Sequence, residues 1–412
     1  MDSFAKDVFV ISRMDIPVRC RYLLRTKMSV LLLKTKMKKV ILSSLLSIFL
    51  LLCLSQCQMD NQSTERAIYY WQTTMDFDKV DDSIANNLNL STLYIRYFDI
   101  DWDAGYNAGV PIGVLNKDMI EENLTVLGDR NIIPTIFITN RTFKNMNVRD
   151  IDKLAKNTVR KIENINQQLK VWQINSILYE TDKSSWEEYF EIEKNFDFDT
   201  LITEIQIDCD WTASTRDKFF EFLEKLQSNI GDKPLSCTIR LHQYRDRKLM
   251  GIPPVNRGLL MCYNVAEVQK YDTKNAVLDT EVVKQYLIDK PYPIKLDIGL
   301  PMFGWAAWYR GTEFKGIVSG WNEQDAADKL LYRNTKENYY LISTDTVIGT
   351  HYLREGDLLR WDNSSEKELN NTIDILTKKL NLSGIRITFF DWETEKIKRH
   401  ENELETYYRR FE

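Results

Sequence analysis

Eight short runs rich in β-branched and aromatic residues recur along the 412-residue chain, and this repetition constrains the fold more than any other feature. They are AIYYW (67–71), TLYIRYFDI (92–100), IIPTIFIT (132–139), EIQIDCDW (204–211), LSCTIRLH (235–242), GLLMCYNV (258–265), PIKLDIGLP (293–301) and GIRITFFDW (384–392). Segments with helical period lie between them at Val80–Leu88, Lys117–Leu127, Val148–Leu169, Thr215–Leu226, Glu281–Ile288 and Ser365–Leu380, and Glu393–Arg409 closes the chain. Alternation of this kind predicts parallel βαβ units, and eight of them predict an α/β fold, a closed (β/α)8 TIM barrel. The rival is an open doubly wound sheet, but no GxGxxG follows the first strand and no P-loop is present. Two connections exceed a minimal barrel: Lys170–Thr200 before strand four and residues 309–364 after strand seven. The second holds a short helix at Asn322–Leu331 and extra strands in YYLISTDTVIGTHYL and LLRWD. Insertions of this length tend to cover barrel mouths.

Barrel strands alternate between the interior and the helix-facing layer, so parity sorts the candidates for a site. In EIQIDCDWT (204–212) the apolar parity is Ile205, Ile207, Cys209 and Trp211, which leaves Glu204, Gln206, Asp208, Asp210 and Thr212 facing inward. Strand five repeats the pattern, with Ser236, Thr238, Arg240 and His242 on the inward parity. Catalytic groups of such barrels collect at the C-terminal strand ends, where Asp208 and Asp210 stand, while Glu204 lies deeper. Carboxylates two residues apart on a strand are separated by roughly 6.6 Å, near enough for one to raise the other's pKa unless a cation such as Arg240 or His242 intervenes. A buried salt-bridge network filling the core is the alternative reading of the same file. Strand two ends in Asp99, Asp101 and Asp103, which serve either the site or a solvated turn in DAGYNAG. The carboxylates to measure against Asp208 and Asp210 are Glu180, Asp99, Asp391 and Glu393, because about 5–5.5 Å suits a retaining glycosidase and about 6.5–9.5 Å an inverting one.

Composition narrows the partners. A net charge of −5 with 28 % charged residues gives no basic excess for nucleic acid. Ten Trp and twenty Tyr are enough to build both a core and flat platforms for sugar rings, with Trp71, Trp305, Trp308 and Trp392 at or beyond strand ends. The cysteines have no CxxC spacing, the acids of strand two lack the later Glu of an EF-hand loop, and no G-x-S-x-G elbow occurs. Neither a metal nor a cofactor is expected.

The N-terminal part reads as an address. Met37–Cys57, MKKVILSSLLSIFLLLCLSQC, has a lysine-rich start and an uncharged run from Val40 to Leu54, shorter than the roughly 18 residues of a spanning helix. Its end, Leu-Ser-Gln-Cys, resembles the lipobox of bacterial lipoproteins, although Gln56 is larger than usual there. That resemblance implies cleavage before Cys57, lipidation of its thiol and tethering to a membrane of the bacterial cell envelope; a cleaved secretory signal or an uncleaved anchor are the alternatives. Residues 1–36 are expected to be an over-extended gene start, 58–65 a polar linker, and 66–412 one barrel domain.

Three segments in order, DCDWT (208–212), MCYN (261–264) and IGLPMFG (298–304), resemble the fourth, sixth and seventh strands of the family 18 glycoside hydrolases, D-x-D-x-E, M-x-Y-D and L-G-x-P-x-Y-G. The resemblance matches Asp208 and Asp210 to the two aspartates and Met261 and Tyr263 to the sixth-strand pair, with Asn264 where an Asp is usual. The family's general acid falls on Thr212, whose hydroxyl cannot protonate a leaving sugar oxygen near neutral pH. Asp210, lifted by Asp208, is the expected substitute. The chain from 66 to 412 is also similar to a bacterial barrel family described only as a domain of unknown function. The expected ligand is an extracytoplasmic polysaccharide, held by Gln206, Arg240, His242, Tyr263, Asn264, Trp305 and Trp392 and either cleaved by Asp208 and Asp210 or simply bound, with a surface scaffold as the remaining alternative.

Overall fold

The computed structural model describes residues 64–412 apart from 76, 78, 117–127, 129, 182–184, 289, 319–320, 323, 326–327, 329–331 and 337. The strands expected from the apolar runs are β1 (Glu65–Tyr70), β2 (Thr92–Asp103), β3 (Asn131–Ile138), β4 (Ile205–Asp208), β5 (Leu235–Arg240), β6 (Arg257–Met261), β7 (Lys295–Pro301) and β8 (Arg386–Phe390). Each runs parallel to the next, and β8 pairs back onto β1, so the sheet closes as a (β/α)8 TIM barrel. Lys79–Asn87, Arg216–Ile230, Thr280–Tyr286 and Glu366–Lys379 are helices close to their predicted ranges, while the C-terminal helix breaks at His400 into Thr394–Arg399 and Glu401–Arg409. The helix expected at Lys117–Leu127 lies outside the described residues, as does most of Asn322–Leu331.

Parity decides the layers. Ile205, Ile207, Cys209 and Trp211 join the large apolar cluster between barrel and helices, where the Trp211 ring stacks on Phe219 with centroids 5.1 Å apart. The interior cluster is smaller and more aromatic, with Tyr69, Tyr94, Leu259, Met261 and Tyr263 among its members. Below it, at the N-terminal strand ends, Arg386 donates to Glu204 and Glu65 at 2.6 Å each, while Arg257 Nε donates to Asp297 at 2.8 Å. Glu204 therefore belongs to a buried ion network that plugs the barrel floor, the alternative reading of the polar file.

The extra length before β4 is present but does not cover the mouth. The helix expected to end at Leu169 continues as Ile151–Glu180, and a capping box formed by Ser185 and Glu188 starts a second helix at Trp186–Asn195. The segment returns at Leu201, whose carbonyl accepts from the Ile132 N–H (2.7 Å) at the start of β3, so it lies at the opposite end of the barrel. The insertion after β7 does rise from the mouth. It begins at Gly304 and forms a five-stranded antiparallel sheet of Glu313–Val318, Gly304–Arg310, Leu358–Asn363, Tyr339–Ile342 and Tyr332–Lys336 in spatial order. The fully buried pair Arg360–Asp362 (2.7 Å) ties this sheet to the loop after β6, because Arg360 also donates to the Lys270 carbonyl at 2.7 Å.

Candidate functional site

The upper half of the β4 file reaches the C-terminal mouth of the barrel, and each of its polar groups meets a partner from another strand, either beside it or across the barrel. Gln206 accepts the phenol proton of Tyr69 on β1, and Asp208 accepts from the Thr238 hydroxyl on β5 at 2.5 Å. Asp210 takes two bonds from Arg240, Nε at 2.5 Å and Nη2 at 3.0 Å, the fork-to-carboxylate geometry that favours arginine over lysine. Burial first, and the Asp210 charge second, push the Asp208 carboxyl up to about 6, against the pull of Arg240 and Thr238. The carboxyl that is raised is Asp208, whose direct partner is a neutral hydroxyl, while Arg240 lies in line with Asp210.

Thr212 stands outside the barrel. It is exposed in the turn before the helix Arg216–Ile230, with its hydroxyl 3.0 Å from Ser214 and 3.2 Å from Thr215. Trp392 leaves the mouth altogether, whereas His242 stays within reach of the Asp210 and Arg240 charges but off the inward file. After Arg240 the chain turns into the short helix Leu241–Arg245, which leaves His242 exposed. After Phe390 it turns outward, and Trp392 is 1 % exposed, with its indole N–H donating to Asp81 at 2.9 Å and its ring edge-on to Phe77. Asn264 is exposed at the rim in the left-handed conformation (φ 53°), which asparagine adopts more readily than other non-glycine residues.

Tyr263 remains central. Its ring stacks on Phe390 (5.5 Å, 30°) and meets Phe303 edge-on (5.9 Å), and its phenol oxygen is buried with no hydrogen-bond partner among the described residues. Gly299 makes room for it, since a Cβ there would sit 2.9 Å from Leu259 Cδ2 and 3.4 Å from Tyr263 Cε1. Burial, then the Asp208 charge, hold the phenol well above the ordinary tyrosine range, so it is a neutral donor.

The strand-two acids divide three ways. A register shift between Arg96 and Phe98 puts Tyr97 and Phe98 together in the outer core and leaves Arg96 and Asp99 bonded to each other, Nε to Oδ1 at 2.8 Å. Asp99 shares a level with Phe137 and Asp208 across β2, β3 and β4. Asp101 is held low by Arg141 and accepts from Thr139 at 2.6 Å, while Asp103 accepts from the Gly105 and Tyr106 amides as a turn residue. Arg96 was not singled out from sequence, because only the bulge brings it onto the same side as Asp99.

Asp391, just beyond β8, is half-buried, and burial pushes its carboxyl up to about 6, against the attraction of Lys396 and with some help from Glu393. Glu393 is exposed and paired with Lys396 at 2.6 Å, and Glu180 ends its helix at the far end of the barrel. Around the mouth Trp71, Phe390, Phe303 and Trp305 are half-exposed and touch in sequence, with centroids 5.3, 5.7 and 5.3 Å apart. Trp308 lies farther out on the inserted sheet, bonded to Asp357 at 2.9 Å. Beside this row a cavity of about 570 Å³, with Phe303, Trp321, Trp361 and Glu393 in its walls, opens between the inserted sheet and the C-terminal helices. Among the described residues no group of three or more His, Cys, Asp or Glu is placed to hold a metal ion.

The fold defined by this closed sheet is that of the (β/α)8 barrels. No protein-family model matches the chain, and no curated protein matches it. Similar solved structures include the Bacillus cereus spore cortex-lytic enzyme SleL, with 15 % identity over 84 % of this chain and 74 % of that one (TM-score 0.43). A fungal endo-β-N-acetylglucosaminidase of glycosyl hydrolase family 18 has 10 % identity over 83 % and 97 % (TM-score 0.38). A xylanase and α-amylase inhibitor protein from Scadoxus multiflorus has 9 % identity over 85 % and 98 % (TM-score 0.36). At identities this low the likeness concerns chain path alone.

Proposed function

We propose that the chain is a glycoside hydrolase-like barrel that binds an extracytoplasmic polysaccharide at its C-terminal mouth, tethered to the bacterial envelope through a lipid on Cys57. The observation that carries the reading is the row of half-exposed aromatics, Trp71, Phe390, Phe303 and Trp305, running past the polar groups Asp208, Asp210, Arg240 and Tyr263. Flat apolar faces beside fixed donors and acceptors suit pyranose rings, which are apolar on their faces and hydroxylated at their edges. Binding is favoured over cleavage because Thr212 carries no usable proton and Asp210 is fixed by both arms of its arginine.

The test is titration calorimetry and pull-down of the purified chain with a panel of soluble and insoluble glycans, alongside a reducing-end assay. Saturable binding that weakens in Trp71→Ala and Phe303→Ala, with no new reducing ends, is expected. Binding indifferent to both substitutions would remove the mouth from consideration. One observation favours hydrolysis as a second reading: burial pushes the Asp208 carboxyl up to about 6, so it keeps its proton in mildly acidic medium. Reducing ends released by the wild type and absent with Asp208→Asn would establish it. Lipidation is tested separately, by incorporation of labelled fatty acid into the wild type and its loss in Cys57→Ala.

A further inference from the structure

A second cavity, of about 750 Å³, lies on the flank of the barrel outside β7, toward the N-terminal strand ends. The loop 290–294, the first residues of β7, the end of the helix Glu366–Lys379 and the loop after it form its walls. Lys290, Lys295, Lys378 and Lys379 line it, and among the described residues no Asp or Glu does, in a chain whose net charge is −5. Lys378 and Lys379 stand in the last turn of a helix, where cations offset the dipole, but that accounts for neither Lys290 nor Lys295.

Lys290, Lys295 and Lys378 form no ion pair among the described residues. Arg247 adds a further cation at the edge: it lies over the Tyr244 and Tyr292 rings at 5.7 and 5.6 Å and donates to the Pro291 and Lys290 carbonyls rather than to a carboxylate. The Tyr292 phenol oxygen is buried without a hydrogen-bond partner among the described residues. Burial and the neighbouring Arg257 hold the Lys295 ammonium below the ordinary lysine range, against the pull of the Asp297 and Glu65 carboxylates, neither of which lines the cavity.

The position of this cavity matters as much as its charge. β1 starts at the same end of the barrel, with Glu65 paired to Arg386 at 2.6 Å and acting on Lys295, so the described domain begins there, seven residues after Cys57 in sequence. We propose that the lysine-lined cavity binds the phosphate-bearing headgroup of an anionic phospholipid in the membrane to which Cys57 tethers the chain. The membrane context rests on the anchor reading at Cys57; the charge and shape of the cavity do not. Lysines close to an anionic bilayer strengthen partition by roughly fivefold each, and in a net-acidic chain they must act locally, within a Debye length.

The experiment uses the full chain carrying Cys57→Ala, floated with vesicles of phosphatidylcholine alone or in equimolar mixture with phosphatidylglycerol. Preference for the mixed vesicles, reduced on the order of 100-fold in Lys290→Gln/Lys295→Gln/Lys378→Gln and weakened by salt, is the expected result. All three side chains are exposed, and an unchanged circular-dichroism spectrum separates loss of binding from loss of fold. Equal partition into both vesicle types, or an undiminished preference in the triple variant, would overturn the proposal. So would inorganic phosphate that raises the unfolding temperature of the wild type while the vesicles stay unbound, since the ligand would then be a soluble anion. Because the Cys57→Ala chain has no acyl chain, failure of the tether and failure of the cavity are read in separate assays.

Discussion

Replacing Asp208 by Asn should make the protein more stable, and only where the carboxylate would be charged. Asp208 is 6 % exposed, and its carboxyl is raised from 3.8 to about 6. In the unfolded chain it titrates near its ordinary value. Below about pH 4 both states hold the proton and the residue contributes no pH dependence. As pH rises from about 4 to about 6 the native state keeps a proton that the unfolded state has lost, so stability falls; above about 6 the full cost persists. With 1.36 kcal/mol for each pH unit, the interval from 3.8 to about 6 corresponds to about 3 kcal/mol. Asn keeps an acceptor for the Thr238 hydroxyl and removes the charge. Urea unfolding followed by tryptophan fluorescence should therefore show a gain of about 3 kcal/mol near pH 7 that fades to almost nothing near pH 4. An Asp208→Asn protein less stable than the wild type near pH 7, or an equal gain at both pH values, would refute the reasoning. A side chain retained at such a cost to stability is more readily explained by a ligand than by the fold.

Arg386→Met should cost about 3–5 kcal/mol in the same assay, because it leaves the carboxylates of Glu204 and Asp297 buried with less compensation. Trp305→Ala should weaken glycan binding by on the order of tenfold, whereas Trp392→Phe should lower stability by about 1 kcal/mol, through the bond lost to Asp81, and leave affinity unchanged. Tyr263→Phe should leave stability equal or up to about 1 kcal/mol higher, since the phenol oxygen has no partner to lose among the described residues, while reducing glycan affinity in calorimetry.

The sequence carried the barrel because periodicity is local: eight β-branched runs separated by helical periods became eight parallel strands, and parity put Gln206, Asp208 and Asp210 inside. It failed where a strand stops or slips. Trp392 was carried past the end of β8 by a parity that no longer applied, and the bulge after Arg96 hid the arginine that binds Asp99.

The roles along β4 were hidden for a different reason. Glu204, Asp208 and Asp210 have the same parity and similar chemistry, yet only closure of the barrel brings Arg386 to Glu204 across 182 positions of sequence and sets Arg240 against Asp210. Asp208 is left between two neutralised acids with a threonine hydroxyl as its direct partner. Which carboxyl of a polar file becomes the proton-holding one is thus decided by the strands beside it, and a file of acids in sequence specifies a site without specifying its acid.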